Sequence, residues 1–193
     1  MKRILIATTN RDKFKTVSKL LEKAMFAKDE YVIESLFTID AKIEDSKEVG
    51  QISERAKQKA IDAMEQLKNY NFEYVIGIDD GIKLKGELKA NVKDYIQKML
   101  YENYLEENED FSFVRAYCII KNTGEIYEAI VETPYKYKAI ESATVEQFSY
   151  PLSQVSVPIG SNIPIASFSE EESFNYSWKF AKDTLELLAR EIK

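Results

Sequence analysis

Residues 2–21, KRILIATTNRDKFKTVSKLL, limit what this chain can fold into more than any other stretch. Ile4, Leu5, Ile6 and Ala7 form a short apolar run of the kind a buried strand shows. Thr8, Thr9 and Asn10 interrupt it with small polar side chains. Phe14, Val17, Leu20, Leu21 and Ala24 then recur at three- and four-residue spacing, so a helix starts at or just after Asn10. Strand, polar turn and helix together make a recurrent anion site. The first amides of a helix have no internal partner, and the helix dipole favours negative charge there. Lys13 falls in that first turn, where a cation is unfavourable unless something anionic sits opposite it. A plainer account competes: Asn10 caps the helix and Lys13 is a solvated surface lysine.

Farther along, Tyr31–Leu36 reads as a second strand, and the acidic stretch 40–50, with Glu44, Asp45 and Glu48, reads as a surface loop. Ser53 and Glu54 can open a second helix lined by Ala56, Ala60, Ala63, Met64 and Leu67, a thin face suited to close approach. Tyr74–Ile78 is an apolar strand running into Asp79, Asp80 and Gly81. Two carboxylates at the end of a buried strand need solvent, a cation or donors to offset desolvation. Consecutive strand residues face opposite ways, so Asp79 and Asp80 should do different jobs. An Asp-Asp-Gly turn into a strand from Ile82 competes with this reading.

Residues 89–105 fit a third helix. Residues 111–120 fit a long strand, reversed at Asn122-Thr123-Gly124 into 125–131. Extended chain follows to 140, with Pro134 marking an edge or bulge. Residues 148–168 are irregular or short strand, and Phe174 to Ile192 mark a closing helix. The predicted class is mixed α/β (α+β), one domain over residues 1–193, with helices against a mixed sheet.

Composition narrows the chemistry. The chain of 193 residues has no histidine, which removes Ser-His and Cys-His nucleophile pairs and histidine–zinc centres. Catalytic work then falls to carboxylates, whose hard oxygens suit Mg²⁺. The single cysteine, Cys118, lies in an apolar run and reads as packing. A net charge of −6 argues against nucleic acid as the main partner. No segment reads as a membrane span or signal peptide, so the expected address is cytoplasmic.

Thr8, Asn10 and Lys13 meet the pattern T-x-N-x-x-K, with which the inosine triphosphate pyrophosphatase family opens. Glu48-Val49-Gly50 and Glu54-Arg55-Ala56 are similar to that family's E-T-G and E-N-A. Asp79-Asp80-Gly81-Ile82 is similar to D-D-S-G-L with one residue missing. Phe148–Pro151 is similar to F-G-Y-D-P without its aspartate, and Ser177-Trp178-Lys179 to S-H-R. In order and over nearly the whole chain, these resemble a divergent member of the family, whose enzymes hydrolyse non-standard purine nucleoside triphosphates to monophosphate and pyrophosphate. The resemblance implies an elongated mixed sheet in two lobes with a central cleft, Mg²⁺ dependence and a homodimer. It implies that Thr8, Asn10 and Lys13 hold the triphosphate. Glu48 and Asp80 hold the metal and position water, with Asp79 in support and Glu44 as an alternative loop ligand. Phe148, Tyr150, Ser177 and Lys179 line the nucleoside end. The departures fall where the family reads the base, which implies an altered base preference; Trp178 is either part of that change or core. A non-catalytic nucleotide-binding or protein-interaction member of the same fold is the alternative.

Overall fold

The computed structural model describes residues 1–26, 29–44, 49–102, 104–139 and 151–192. Its elements run β1 (Lys2–Ile6), α1 (Arg11–Ala24), β2 (Tyr31–Ser35), α2 (Ile52–Gln66), β3 (Tyr74–Leu84), β4 (Glu87–Lys89), α3 (Val92–Tyr101), β5 (Asp110–Lys121), β6 (Ile126–Tyr137), β7 (Ser156–Pro158) and α4 (Glu170–Ile192), with short 3-10 turns at Lys68–Tyr70, Pro151–Gln154 and Ile165–Ser167. The strands pair in the order β2-β1-β3-β5-β6-β7, with β4 also on β3. β1 is parallel to β2 and β3, whereas β4 and β7 pair antiparallel with β3 and β6. This is the mixed α/β class that the element order predicts.

The chain divides into two compact units: Met1–Asp79 with Arg115–Val131 and Ala181–Lys193, and Asp80–Val114 with Glu132–Phe180. In the first unit Ile4, Leu5 and Ile6 are fully buried in β1, the predicted short apolar strand. Leu5, Ala7, Leu36, Ala63, Leu67, Phe72 and Val75 form one core cluster, with Ile39, Ala41 and Ile43 packed against it. The start of β1 is pinned by Arg3, which donates to both Glu34 carboxylate oxygens at 2.7 and 3.0 Å and to the Tyr70 carbonyl at 2.7 Å. Cys118 is fully buried, and burial pushes its thiol up to about 12, as fits a residue that only packs.

Gly77 sets the distance between α2 and β3. A Cβ there would lie 1.9 Å from the Ala56 carbonyl oxygen and 2.7 Å from the Ala60 nitrogen. Helix backbone therefore lies directly on the strand, and fully buried Ala56, Ala60 and Ala63 line the contact. This is the close approach that the alanine line in the sequence implies.

The second unit is built around Ile82, Leu84, Met99, Leu100, Leu105, Phe111, Tyr135, Tyr137, Leu152 and Val155. Its tyrosines satisfy their hydroxyls on backbone. Tyr137 Oη donates to the Met99 carbonyl at 2.6 Å, one of the last carbonyls of α3 that lack an intrahelical partner. Tyr176 Oη accepts from the Ile159 N–H at 2.9 Å and donates to the Pro134 carbonyl.

Several boundaries differ from the sequence reading, three of them for a clear physical reason. β3 does not stop at Asp79-Asp80-Gly81 but runs through them to Leu84, because Ile82 and Leu84 are buried in the second core and draw the strand onward. The helix expected over 89–105 is only Val92–Tyr101, since Lys89 pairs with Ile82 in the β3–β4 hairpin. α2 begins at Ile52, not Ser53, because the Gln51 N–H donates to Glu54 Oε2 at 2.8 Å and closes the first turn one residue earlier.

Candidate functional site

The turn between β1 and α1 is held by its own polar side chains. The Ala7 N–H donates to the Ile76 carbonyl at 2.8 Å and ties the end of β1 to β3. Buried Thr8 accepts the Asn10 N–H at 3.2 Å, and Asn10 Oδ1 accepts the Lys13 N–H at 2.9 Å as the cap of α1. The capping account of Asn10 is thus correct as far as it goes. The cap occupies one acceptor of Asn10 and one amide of the helix. The Arg11 and Asp12 amides lie ahead of the first intrahelical bond, which runs from Phe14 N–H to the Asn10 carbonyl at 3.0 Å. Phe37, from the turn after β2, meets Phe14 edge-on at 5.4 Å and lies under the Arg11 guanidinium at 5.5 Å. The helix start is therefore braced from a second element. Lys13 is half-buried there.

The parallel register, Ile6 opposite Ile76, brings the end of β1 alongside the stretch of β3 that leads to the carboxylates. Asp79 is 6% exposed. Lys59 Nζ stands 2.5 Å from its Oδ1, with the two side chains 21% and 8% exposed. Only Ile78 separates Gly77 from Asp79, so the two positions share one face of β3. The steric gap at Gly77 lets α2 come close, and the same approach delivers Lys59 to Asp79. A buried carboxylate with no such partner would be costly. Asp80, next along, is half-buried and opens the second unit.

Lys59 was not legible as a site residue from spacing alone. Lys57 and Lys59 both border the alanine line of α2, and only packing shows that Lys59 is the one that meets Asp79. Arg55 is similar. It is buried, and its Nε donates to the Gly50 carbonyl at 3.0 Å, which fixes the end of the acidic loop against α2. Gly50 has φ +86, and a Cβ there would lie 2.0 Å from Glu54 Oε2, so this turn needs glycine.

The remaining candidates are spread over the chain. Glu44 is exposed, and its N–H donates to Gln66 Oε1 at 2.8 Å, which anchors the loop to the end of α2. Glu48, Phe148 and Tyr150 lie outside the described residues. Ser177 and Lys179 lie on α4 in the second unit; Ser177 is half-buried, and Lys179 is exposed with its ammonium 5.4 Å from the Phe180 ring centre. Trp178 is half-buried, neither fully core nor fully exposed. Among the described residues, no three acidic or cysteine side chains gather as a metal cage.

No protein-family model matches the sequence, and no curated protein matches it. Solved structures do. A HAM1 protein from Coxiella burnetii superposes with a TM-score of 0.71 at 15% identity, over 99% of this chain and 100% of that one. A nucleoside-triphosphatase, dITP/XTP pyrophosphatase, from Mycobacterium abscessus gives 0.60 at 18% identity over 92% and 94% of the two chains. The Ham1 protein of Staphylococcus aureus gives 0.59 at 16% identity over 99% and 98%. At such identities the likeness speaks to architecture, and it establishes that this chain has the Ham1 fold along nearly its whole length.

Proposed function

We propose that this chain is a Mg²⁺-dependent nucleoside triphosphate pyrophosphatase, releasing nucleoside monophosphate and pyrophosphate, with a base preference shifted from that of ITP/XTP enzymes. The observation that carries the reading is the braced turn of Thr8, Asn10 and Lys13 at the head of α1, in a chain with the Ham1 fold. Cap, amides and lysine are the parts that a polyphosphate needs. On this reading residues 1–193 act as one catalytic domain, and the working form is a cytoplasmic homodimer.

The donor chemistry fits Mg²⁺. The candidates are all carboxylate oxygens, and Mg²⁺ is typically held by one or two carboxylates with substrate phosphates and water completing the shell, so a three-carboxylate cage is not required. Asp80 and Glu48 would hold it, with Glu44 as the alternative from the same loop. When bound, the ion neutralises phosphate charge and acidifies water. The chain's own residues do the rest. The Lys13 ammonium and the Asn10 side-chain amide grip phosphate oxygens, with Thr8 fixing the turn. A carboxylate orients water for attack on the α-phosphorus while pyrophosphate leaves. Asp79, its charge balanced by Lys59, supports Asp80 next to it and does not itself act as a free base. Phe148, Tyr150, Ser177 and Lys179 hold the nucleoside, and stacking tolerates many bases.

The Lys59–Asp79 pair also favours a second reading. A carboxylate already neutralised by lysine suits a scaffold that binds nucleotide without turning it over. A panel of nucleoside triphosphates with Mg²⁺, scored for pyrophosphate against orthophosphate, separates the two. We expect pyrophosphate, and its loss in Asp80→Asn with an unchanged thermal midpoint. Full turnover in that variant removes Asp80 from the chemistry. Tight binding with no product in the parent chain favours the scaffold.

A further inference from the structure

Three lysines gather over two aromatic rings at the rim of the second core, on the β3–β4 hairpin and α3. Glu87 and Lys89 stand opposite Leu84 and Ile82 in the antiparallel register, so they share the face that β3 turns toward its core. Tyr95 and Tyr104 pack on that core, edge to face, with ring centres 5.8 Å apart. Lys98 Nζ lies 4.9 Å from the Tyr95 ring centre and 5.8 Å from that of Tyr104. Lys85 Nζ lies 5.4 Å from Tyr104, and Lys89 Nζ 5.9 Å from Tyr95. Like charges held this close repel one another. One carboxylate answers them: Glu87, whose side chain is 73% exposed, pairs with Lys89. Neither Lys85 nor Lys98 meets a carboxylate among the described residues. Lys85 also opens the two-residue hairpin turn Lys85-Gly86, with φ +50. Asn, Asp or Gly fill that position with least strain, so lysine takes it against the preference of the backbone.

We infer that Lys85, Lys89 and Lys98 form a second anion site, which binds a compact chain of two or three phosphates. Three ammoniums against one carboxylate call for an anion with several charges in a short length. A peptide carboxylate brings one charge at a time, and the planar fork that reads it best belongs to arginine, which the cluster does not contain. A phosphate chain carries its charges close together, and ammoniums grip it as point charges. Single-stranded nucleic acid would stack bases on the rings, but here ammoniums lie over them. The cluster is also distinct from the catalytic candidates. Lys85 lies five residues beyond Asp80 along extended chain, roughly 16 Å away at about 3.3 Å per residue. Its ligand binds whether or not the chain turns over nucleotides.

The probe is inorganic tripolyphosphate, titrated calorimetrically into the Lys13→Ala chain, in which the candidate triphosphate grip is weakened. We expect it to bind, and Lys85→Asn with Lys98→Gln to weaken it roughly 10- to 100-fold, the loss of charged hydrogen-bond partners. Asparagine suits the left-handed turn, so the thermal midpoint should hold. Lys85→Asn alone, at an exposed turn, replaces the pair should that not fold, with a weakening of roughly 10-fold. With Lys13 intact, the two changes should leave any nucleoside triphosphate turnover as it is. ATP bound as tightly as tripolyphosphate through the same lysines also upholds the site and makes a nucleotide's phosphate tail its ligand. No binding to the Lys13→Ala chain, or an affinity untouched by the lysine changes, overturns the inference. A single-stranded oligonucleotide or a glutamate-rich peptide held more tightly than tripolyphosphate through these lysines overturns it as well.

Discussion

The two units solve the same problem, placing polar groups in a dry interior, by different means. In the first, backbone sterics do the placing. Gly77 lets α2 rest on β3, and Lys59 reaches Asp79 as a consequence. In the second, side-chain hydroxyls do it. Tyr137 and Tyr176 reach past their rings to carbonyls of Met99 and Pro134, and Tyr135 lies 5.3 Å from the ring of Tyr176. A sterically placed pair fails all at once when the gap is filled. A hydrogen-bonded aromatic core fails one bond at a time. The first unit should therefore respond to single changes with large effects, and the second with small ones.

The harshest test fills the gap. Gly77→Val puts two further carbons where one would already meet helix backbone. We expect no cooperative thermal transition in that variant. Gly77→Ala should lose about 3 kcal/mol or more in denaturant titration, because backbone cannot yield as a side-chain end can. A loss below about 1 kcal/mol, within what ordinary core changes give, would show that α2 slides freely and that sterics do not set the Lys59–Asp79 distance.

Next in size is the ion pair. Lys59→Met removes the lysine partner of a buried carboxylate, at a cost of about 3–5 kcal/mol. Lys59→Met with Asp79→Leu removes both charges and should recover most of that stability. On the proposed function, in which Asp79 supports Asp80, both the single and the double variant release no pyrophosphate. If the double variant regains turnover with stability, the pair is scaffold only. Across the comparison lies Tyr137→Phe, which keeps the ring and orphans the Met99 carbonyl, for an expected loss of about 1–2 kcal/mol. A loss as large as that of Lys59→Met would mean the second unit is no more tolerant than the first.

What the sequence could disclose follows the same division. The strand, turn and helix at residues 2–21 were legible because apolar period and cap chemistry are local, and the structure adds only that Thr8 and Phe37 brace the turn. The path of β3 through Asp79 and Asp80 was not. Adjacent carboxylates before a glycine are good turn chemistry, and only the burial of Ile82 and Leu84 in a distant-sequence core overrides it. The length of α3 was misjudged for a related reason. Lys89 carries a helix-compatible pattern, yet strand pairing with Ile82 claims it. Lys59 and the cluster of Lys85, Lys89 and Lys98 went unseen because nothing in one sequence says which lysine on a helix meets a carboxylate, or which lysines converge on the same rings. Those are facts of tertiary packing.

The smallest stability effect should fall at Asn10, and there the comparison turns from folding to function. Its Oδ1 caps α1 through the Lys13 N–H, and Asn10 itself is exposed. Asn10→Ala therefore loses a cap and no packing, for about 1 kcal/mol. Asn10→Ser keeps a side-chain oxygen able to cap, so its stability should return to within a few tenths of a kcal/mol of the parent. Serine does not bring back the amide N–H₂, which the cap leaves available for a phosphate oxygen. We therefore expect Asn10→Ser to be as stable as the parent but raised in KM for nucleoside triphosphate by roughly 10-fold, the worth of one hydrogen bond to a charged group. Asn10→Ala should show the same KM with lower stability. If Asn10→Ser restores KM along with stability, capping is the whole role of Asn10. Triphosphate recognition would then rest on Lys13 and the helix amides alone.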